Sequence, residues 1–317
     1  MKIAIVKLSA LGDIVHAMIV LQYIKKEIPN ATIDWFVDDR FSKILENNPH
    51  INTIHALKLK NGNASFYKEY KKLKKISPYD IVIDLQGLIK SAVISRTLGK
   101  NIIGFDKNSI REPLASFFYT KSFEIPYGEN IIIRNITLVC KALNLKVPNL
   151  QNKKPFLYSN SPLSFKPTLL VIVGSSWKSK IYPKEHYVSI INALHVETFI
   201  SWGDKHEKQN AQFICKQTDA KILPKLNLDE LKTVILNTSL VIGGDTGPTH
   251  MALALNTPSI TIFGSTSSLR NTLKTDINLT IDCEKYINSN SLDKNDFCIQ
   301  NIKPEKIISL SKKLLKC

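Results

Sequence analysis

The feature that most constrains the fold is an alternation of short β-branched runs with helix-like stretches, interrupted once near the middle of the chain. β-rich runs occur at Ile3 to Leu8, Thr32 to Val37, Ile51 to His55, Ile81 to Asp84 and Ile102 to Phe105. Helical patterns lie between them, notably Asp13 to Ile28 and Phe66 to Lys75. Strands that alternate with helices pair in parallel and need both faces covered, which is the pattern of a doubly wound α/β sheet. The alternation stops at Lys146 to Pro167, where four prolines (148, 155, 162, 167) stand among Asn, Ser and Lys with no apolar period. It resumes with Leu169 to Val173, Glu197 to Ser201, Lys221 to Leu223, Leu240 to Ile242 and Ser259 to Phe263. A chain of 317 residues also exceeds what one hydrophobic core usually serves. Two doubly wound parallel-sheet domains are expected, at 1–160 and 161–317.

Open α/β sheets bind ligands beyond the carboxyl ends of their strands. Seven of the twelve glycines (12, 174, 203, 243, 244, 247, 264) fall just after expected strands. The turn Gly243-Gly244-Asp245-Thr246-Gly247-Pro248-Thr249-His250 joins a strand to a helix. Its glycines permit positive φ and close approach, Pro248 suits a first helical turn, and a helix N-terminus favours phosphate. The same residues would also make a plain turn and cap with no ligand. Gly174-Ser175-Ser176-Trp177-Lys178-Ser179-Lys180 offers hydroxyls, amides and two lysines suited to a pyrophosphate. It departs from the GxxxxGK[ST] spacing, so an NTP-hydrolysing loop is not expected. Glu207, in Trp202-Gly203-Asp204-Lys205-His206-Glu207, can accept from ribose hydroxyls or simply occupy a helix's first turn. In the first domain Ser9-Ala10-Leu11-Gly12-Asp13 opens a helix, where Asp13 is foremost an N-cap, though a carboxylate at a strand-end loop could also face a cleft and accept a proton.

Charge is unevenly placed. The net charge is +16, of which residues 1–160 carry +11 and the remainder +5; Lys58 to Lys75 alone holds seven lysines against Glu69. Such a run is a solvated helix face, or a surface for an anionic membrane, a phosphorylated substrate or nucleic acid. No nucleic-acid-binding motif accompanies it, and the interleaved aromatics are limited to Phe66, Tyr67 and Tyr70. The apolar fraction of 44% is that of a globular protein, and no apolar run reaches bilayer length. Met1 to Lys7 is too short and too soon charged for a signal peptide, so the chain is expected to stay in the cytoplasm. Cys140, Cys215, Cys283, Cys298 and Cys317 are scattered without metal-site spacing and read as reduced structural thiols. The terminal stretch Pro304 to Lys316 is amphipathic and is expected to pack on the core.

Taken together, Ile5-Val6-Lys7-Leu8-Ser9-Ala10-Leu11-Gly12-Asp13-Ile14-Val15-His16, Ile83-Asp84-Leu85-Gln86-Gly87-Leu88-Ile89-Lys90-Ser91, Arg111-Glu112-Pro113-Leu114-Ala115-Ser116 and Asp245-Thr246-Gly247-Pro248-Thr249-His250 resemble the family 9 glycosyltransferases along nearly the whole chain. The resemblance implies a GT-B fold of two Rossmann-like domains, the first for the acceptor and the second for the nucleotide sugar. It implies inverting transfer of L-glycero-D-manno-heptose from ADP-heptose to Kdo2-lipid A, at the cytoplasmic face of the inner membrane. Asp13 is then the base. Ser175, Ser176 and Lys180 match donor-phosphate positions, with Lys180 neutralising the departing phosphate, and Glu207 matches a ribose contact. Asp245, Thr246, Gly247 and His250 match the remaining donor loop, and Leu226 stands where the family often has methionine. Ser175 and Ser176 replace threonines and keep the hydroxyls. Lys58, Lys60 and Arg111 are the acceptor-side candidates. No DxD-like acidic pair marks a metal site, so metal-independent catalysis with no cofactor is expected. The rival readings are a relative with another acceptor and a basic nucleic-acid-binding protein.

Overall fold

The computed structural model describes residues 1–60, 62–76, 78–150, 153–288 and 291–316, the side chains of 62–64 excepted. Cys317, counted among the thiols, lies outside them. The chain divides into two compact units, Met1–Tyr158 and Ser159–Cys317, two residues before the expected boundary.

In the first unit β1 (Lys2–Val6), β2 (Thr32–Asp38), β3 (Thr53–Leu57), β4 (Ile81–Asp84), β5 (Ile102–Phe105) and β6 (Lys121–Phe123) form one sheet in the order β3-β2-β1-β4-β5-β6. The second unit's sheet contains β7 (Leu169–Ile172), β8 (Thr198–Ser201), β9 (Lys221–Ile222), β10 (Leu240–Gly244), β11 (Ser259–Phe263) and β12 (Asn278–Asp282). Its order is β12-β11-β10-β7-β8-β9. All pairings are parallel. Counted from its own first strand, each sheet has the Rossmann order 3-2-1-4-5-6. Its switch point therefore lies between β1 and β4 in one unit and between β7 and β10 in the other, and ligands bind at such points.

The central strands are the ones the sequence pattern shows best, because parallel strands covered on both faces become unbroken apolar runs. Ile3, Ala4, Ile5 and Val6 are all fully buried, as are Leu240, Val241 and Ile242. The two strands absent from the sequence reading, β6 and β12, are edge strands reading Lys-Ser-Phe and Asn-Leu-Thr-Ile-Asp. With one neighbour and partial exposure, such strands need no apolar run. β3 lies two residues beyond the expected Ile51 to His55, because its register pairs Asp34 through Asp38 of β2 with Thr53 through Leu57.

The expected helix from Asp13 to Ile28 is two helices, Leu11–Ala17 and Val20–Glu27. Residues Ile14 to Leu21 are buried throughout, so both segments press against the core rather than present one stripe to it. The terminal helix Pro304–Leu315 buries Ile307 and Ser311 and packs its remaining apolar side chains into the second unit's core. Its apolar face is thus covered by protein.

Candidate active site

Loops from four strand ends gather beside the second unit's switch point. β10 ends in two glycines that lack the positive φ their type permits; among the described glycines only Gly87 has it, at 70°. Their role is close packing. A Cβ on Gly243 would fall 2.5 Å from Thr249 Oγ1 and 2.8 Å from Ile172 Cβ, and one on Gly244 would fall 2.8 Å from the Lys180 carbonyl oxygen. The chain then enters the helix Gly247–Leu255, with Thr246 at the N-cap and Pro248 in the first turn. The Thr246 hydroxyl makes no capping bond, so no cap side chain occupies the positive end of this helix.

Asp245 sits just before that helix and is only 5% exposed. Its Oδ2 lies 2.6 Å from Lys180 Nζ and accepts from Thr266 Oγ1 at 2.7 Å and Asn271 Nδ2 at 3.2 Å. Its Oδ1 lies 2.8 Å from His250 Nε2. Burial pushes this carboxyl up, and the Lys180 ammonium with the His250 ring outweighs burial, holding the group far below the usual carboxylate range. A carboxylate with four partners is an anchor. It fixes Lys180, whose ammonium also donates to the Asp245 carbonyl oxygen at 3.0 Å and lies 5.1 Å from the Trp177 ring centre. An ammonium has three N–H donors, so one is left to aim at a ligand. Thr266 and Asn271 escaped the sequence reading; their only signal was Gly264, a strand-end glycine two residues before Thr266.

Lys180 closes a 3-10 turn, Lys178–Lys180, on the loop that follows β7. The Ser175 hydroxyl on that loop is buried without a hydrogen-bond partner among the described residues, as is Thr249 Oγ1 on the neighbouring helix. Ser176 is exposed. Glu207 is the third residue of the helix Lys205–Cys215, whose N-cap Asp204 accepts from the Glu207 N–H at 2.9 Å. Glu207 therefore does lie in a first helical turn, and its carboxylate folds back over the β7 loop. It accepts from the Gly203 N–H at 2.6 Å, and a Cβ on Gly174 would fall 1.8 Å from its Oε1. Burial pushes this carboxyl up. Leu226 stands half-buried between β9 and the helix Leu228–Leu236, and no hydrogen bond ties its side chain to the others.

The first unit places Asp13 differently from the expected N-cap. Ala10 is the N-cap, and Asp13 is the third residue of the helix, with Oδ2 accepting from the Ala10 N–H at 3.3 Å. The helix begins earlier than the sequence signal because the strand-end loop turns directly into it. The half-buried carboxylate keeps its Oδ1 free of partners among the described residues. Lys58 and Lys60 are exposed beyond the end of β3 and join no ion pair with a described residue. Arg111 is exposed, donates to the Tyr127 hydroxyl and lies 5.6 Å from that ring's centre. Among the described residues, no group of three or more His, Cys, Asp or Glu side chains is placed to hold a metal ion.

A family model for glycosyltransferase family 9 (heptosyltransferase) matches residues 67–296. The chain is 40% identical to lipopolysaccharide heptosyltransferase 1 of Campylobacter coli, over 99% of each chain. It is 28% identical to the Escherichia coli K12 protein of that name, over 84% of this chain and 88% of that one. Among solved structures, E. coli heptosyltransferase WaaC with ADP matches 99% of this chain and 100% of its own, with a TM-score of 0.84 at 24% identity. A family 9 glycosyltransferase from Veillonella parvula has the same TM-score at 17% identity, over 99% of this chain and 97% of its own. The two-sheet architecture is thus the GT-B fold. Since the family model spans most of the sequence and one relative is similar from end to end, the chain belongs to glycosyltransferase family 9, the heptosyltransferases.

Proposed function

We propose that this enzyme transfers L-glycero-D-manno-heptose from ADP-heptose to the Kdo region of Kdo2-lipid A, with inversion at the anomeric carbon. The observation that carries the reading is the Lys180–Asp245–His250 cluster beside an uncapped helix N-terminus and the Ser175 hydroxyl, which has no partner among the described residues. This is a fixed set of donors with no anion of its own to spare. Kinship to heptosyltransferase 1 proteins, and the ADP in the E. coli structure, supply the identity of that anion.

In the proposed step an acceptor hydroxyl oxygen bonds to the heptose anomeric carbon as the bond from that carbon to the β-phosphate oxygen breaks. The bonding pair leaves with ADP. Negative charge grows on the diphosphate while positive charge spreads over the sugar ring. Donors already held in place stabilise that charge without reorganising. Lys180 supplies the ammonium, the first turn from Gly247 supplies backbone N–H groups, and the hydroxyls of Ser175 and Ser176 contribute neutral donors. Asp245 acts by holding Lys180 and His250. Glu207 receives the ribose hydroxyls, and Leu226 lines the nucleotide side.

Asp13 takes the acceptor proton. The role demands proton transfer as the hydroxyl bonds to carbon, when that proton becomes acidic. A single displacement inverts the carbon. The ammonium and helix terminus perform the electrostatic work that a divalent ion performs elsewhere, so transfer is proposed to need neither metal nor cofactor.

No helix among the described residues is long and apolar enough to cross a membrane. We place the enzyme at the cytoplasmic face of the inner membrane, held by its acceptor unit. That unit carries the excess lysine, the exposed Lys58, Lys60 and Arg111, and apolar side chains in solvent that include Leu114 and Phe117, at 61% and 79% exposure. Incubation with ADP-heptose tests the activity. ADP release and a product one heptose heavier are expected with Kdo2-lipid A, but not with an acceptor already carrying its first heptose. The reverse preference would overturn the acceptor assignment.

A further inference from the structure

The Ile83–Ser91 segment contains a side chain with no role so far. We infer that Gln86 is a positioning residue for Asp13: it holds the loop that delivers the carboxylate by bridging the switch-point crevice of the first sheet. The inference rests on the proposed role of Asp13 as base.

β1 and β4 are neighbours whose connections run away in opposite directions, so backbone pairing between them ends where a crevice opens. The last ladder bond there runs from the Leu85 N–H to the Val6 carbonyl oxygen at 3.0 Å. Beyond it, Gln86 Oε1 accepts from two successive backbone donors of the β1 loop, the Leu8 N–H at 3.0 Å and the Ser9 N–H at 3.1 Å. The next N–H, that of Ala10, belongs to Asp13 Oδ2. Three consecutive amides of the loop are thereby committed to two side chains, and Asp13 is the second of them. The buried Lys7 ammonium adds a stitch of the same kind, donating to the Leu85 carbonyl oxygen at 2.8 Å.

Gln86 is itself held. Asp84 is fully buried at the end of β4 and accepts from the Gln86 N–H at 2.8 Å, the Gly87 N–H at 3.2 Å, Ser91 Oγ at 2.8 Å and the Tyr119 hydroxyl at 2.8 Å. Gly87 has φ +70°, and a Cβ there would fall 2.5 Å from Ile110 Cγ2. The turn that aims Gln86 is thus anchored from below by a carboxylate and permits no side chain beside it. A glutamine in this place does what continued strand pairing cannot, fixing the end of β1 while leaving the loop beyond it open for substrate.

Placement errors near 1 Å can cost about 100-fold in rate. Gln86→Leu keeps the volume and removes the acceptor. Its kcat is expected to fall about 10- to 100-fold, with the KM for ADP-heptose within about twofold, since donor groups lie in the other unit. Gln86→Glu restores an acceptor oxygen and is expected to recover most of the rate, which a variant harmed only by misfolding would not do. The double variant Gln86→Leu with Asp13→Asn decides between the roles. If Gln86 acts through Asp13, it transfers no more slowly than Asp13→Asn alone. Multiplied losses, or a Gln86→Leu enzyme of wild-type kcat, would overturn the positioning role. An active Asp13→Asn enzyme would instead overturn the base assignment, so the two failures are distinguishable.

Discussion

Replacing Lys180 with methionine removes the ammonium and leaves Asp245 buried with His250, Thr266 and Asn271 as partners. Breaking a buried ion pair from one side costs about 3–5 kcal/mol. The three remaining partners place this variant at the lower end, about 3 kcal/mol at neutral pH. For a domain of this size that is a fall in Tm of about 6–12 °C. The loss has a pH signature. The Asp245 carboxyl is held below its unfolded value, so its contribution is fully present above about pH 4 and declines as pH falls. Without Lys180 that depression shrinks. The stability gap between wild type and Lys180→Met should therefore be constant from pH 7 to about 5 and narrow by up to about 1.4 kcal/mol per unit below pH 4. Urea unfolding at pH 7, 5, 4 and 3 measures it. Adding Asp245→Asn should return part of the stability, because a neutral pair needs no counter-charge, while transfer stays about 100- to 1,000-fold down. A Lys180→Met protein as stable as wild type at pH 7, or a gap independent of pH down to 3, would refute the anchor role of Asp245.

Gly174→Ala puts a methyl group where Glu207 Oε1 now lies, so it should displace that carboxylate and weaken ADP binding about 10-fold by calorimetry. Unchanged affinity would leave Glu207 a helix-turn residue only. Phe117→Asp should reduce co-sedimentation with vesicles containing phosphatidylglycerol while leaving transfer to a water-soluble, deacylated acceptor intact; equal sedimentation would remove Phe117 from membrane contact. Full turnover should persist in excess EDTA, and activity lost there and restored only by a divalent ion would contradict the role given to Lys180. Ile307→Ala should cost about 2–5 kcal/mol in urea unfolding, as expected of a terminal helix packed into the core. A negligible cost would imply that the helix is peripheral to the fold.

Legibility in the sequence followed burial. β1, β4, β7 and β10 are runs such as Ile-Val-Ile-Asp and Leu-Leu-Val-Ile that only a doubly covered parallel strand tolerates, and their ends located the candidate loops. β6 and β12 left no such mark: Lys-Ser-Phe holds one apolar residue and Asn-Leu-Thr-Ile-Asp two, too few to stand out as runs, whereas the other edge strands, β3 and β9, were legible. The site was legible where it is local. Gly243 to His250 reads as a strand, a turn and a helix start in one stretch. It was not legible where side chains meet from distant segments. Nothing near Asp245 announces that Thr266 and Asn271 donate to its carboxylate, and Gln86 lies 77 and 78 positions from the amides it holds. Asp13 as N-cap was a reasonable inference from residue type. The structure gives that place to Ala10, three residues sooner, which moves the carboxylate into the first turn.

In the proposed division of labour the second unit holds the donor and Asp13 removes the acceptor proton. The single-turnover rate of Asp13→Asn with saturating ADP-heptose and Kdo2-lipid A tests it most directly. Transfer is expected to fall about 100- to 10,000-fold while the donor remains bound as in wild type. Transfer within a few-fold of wild type would contradict it.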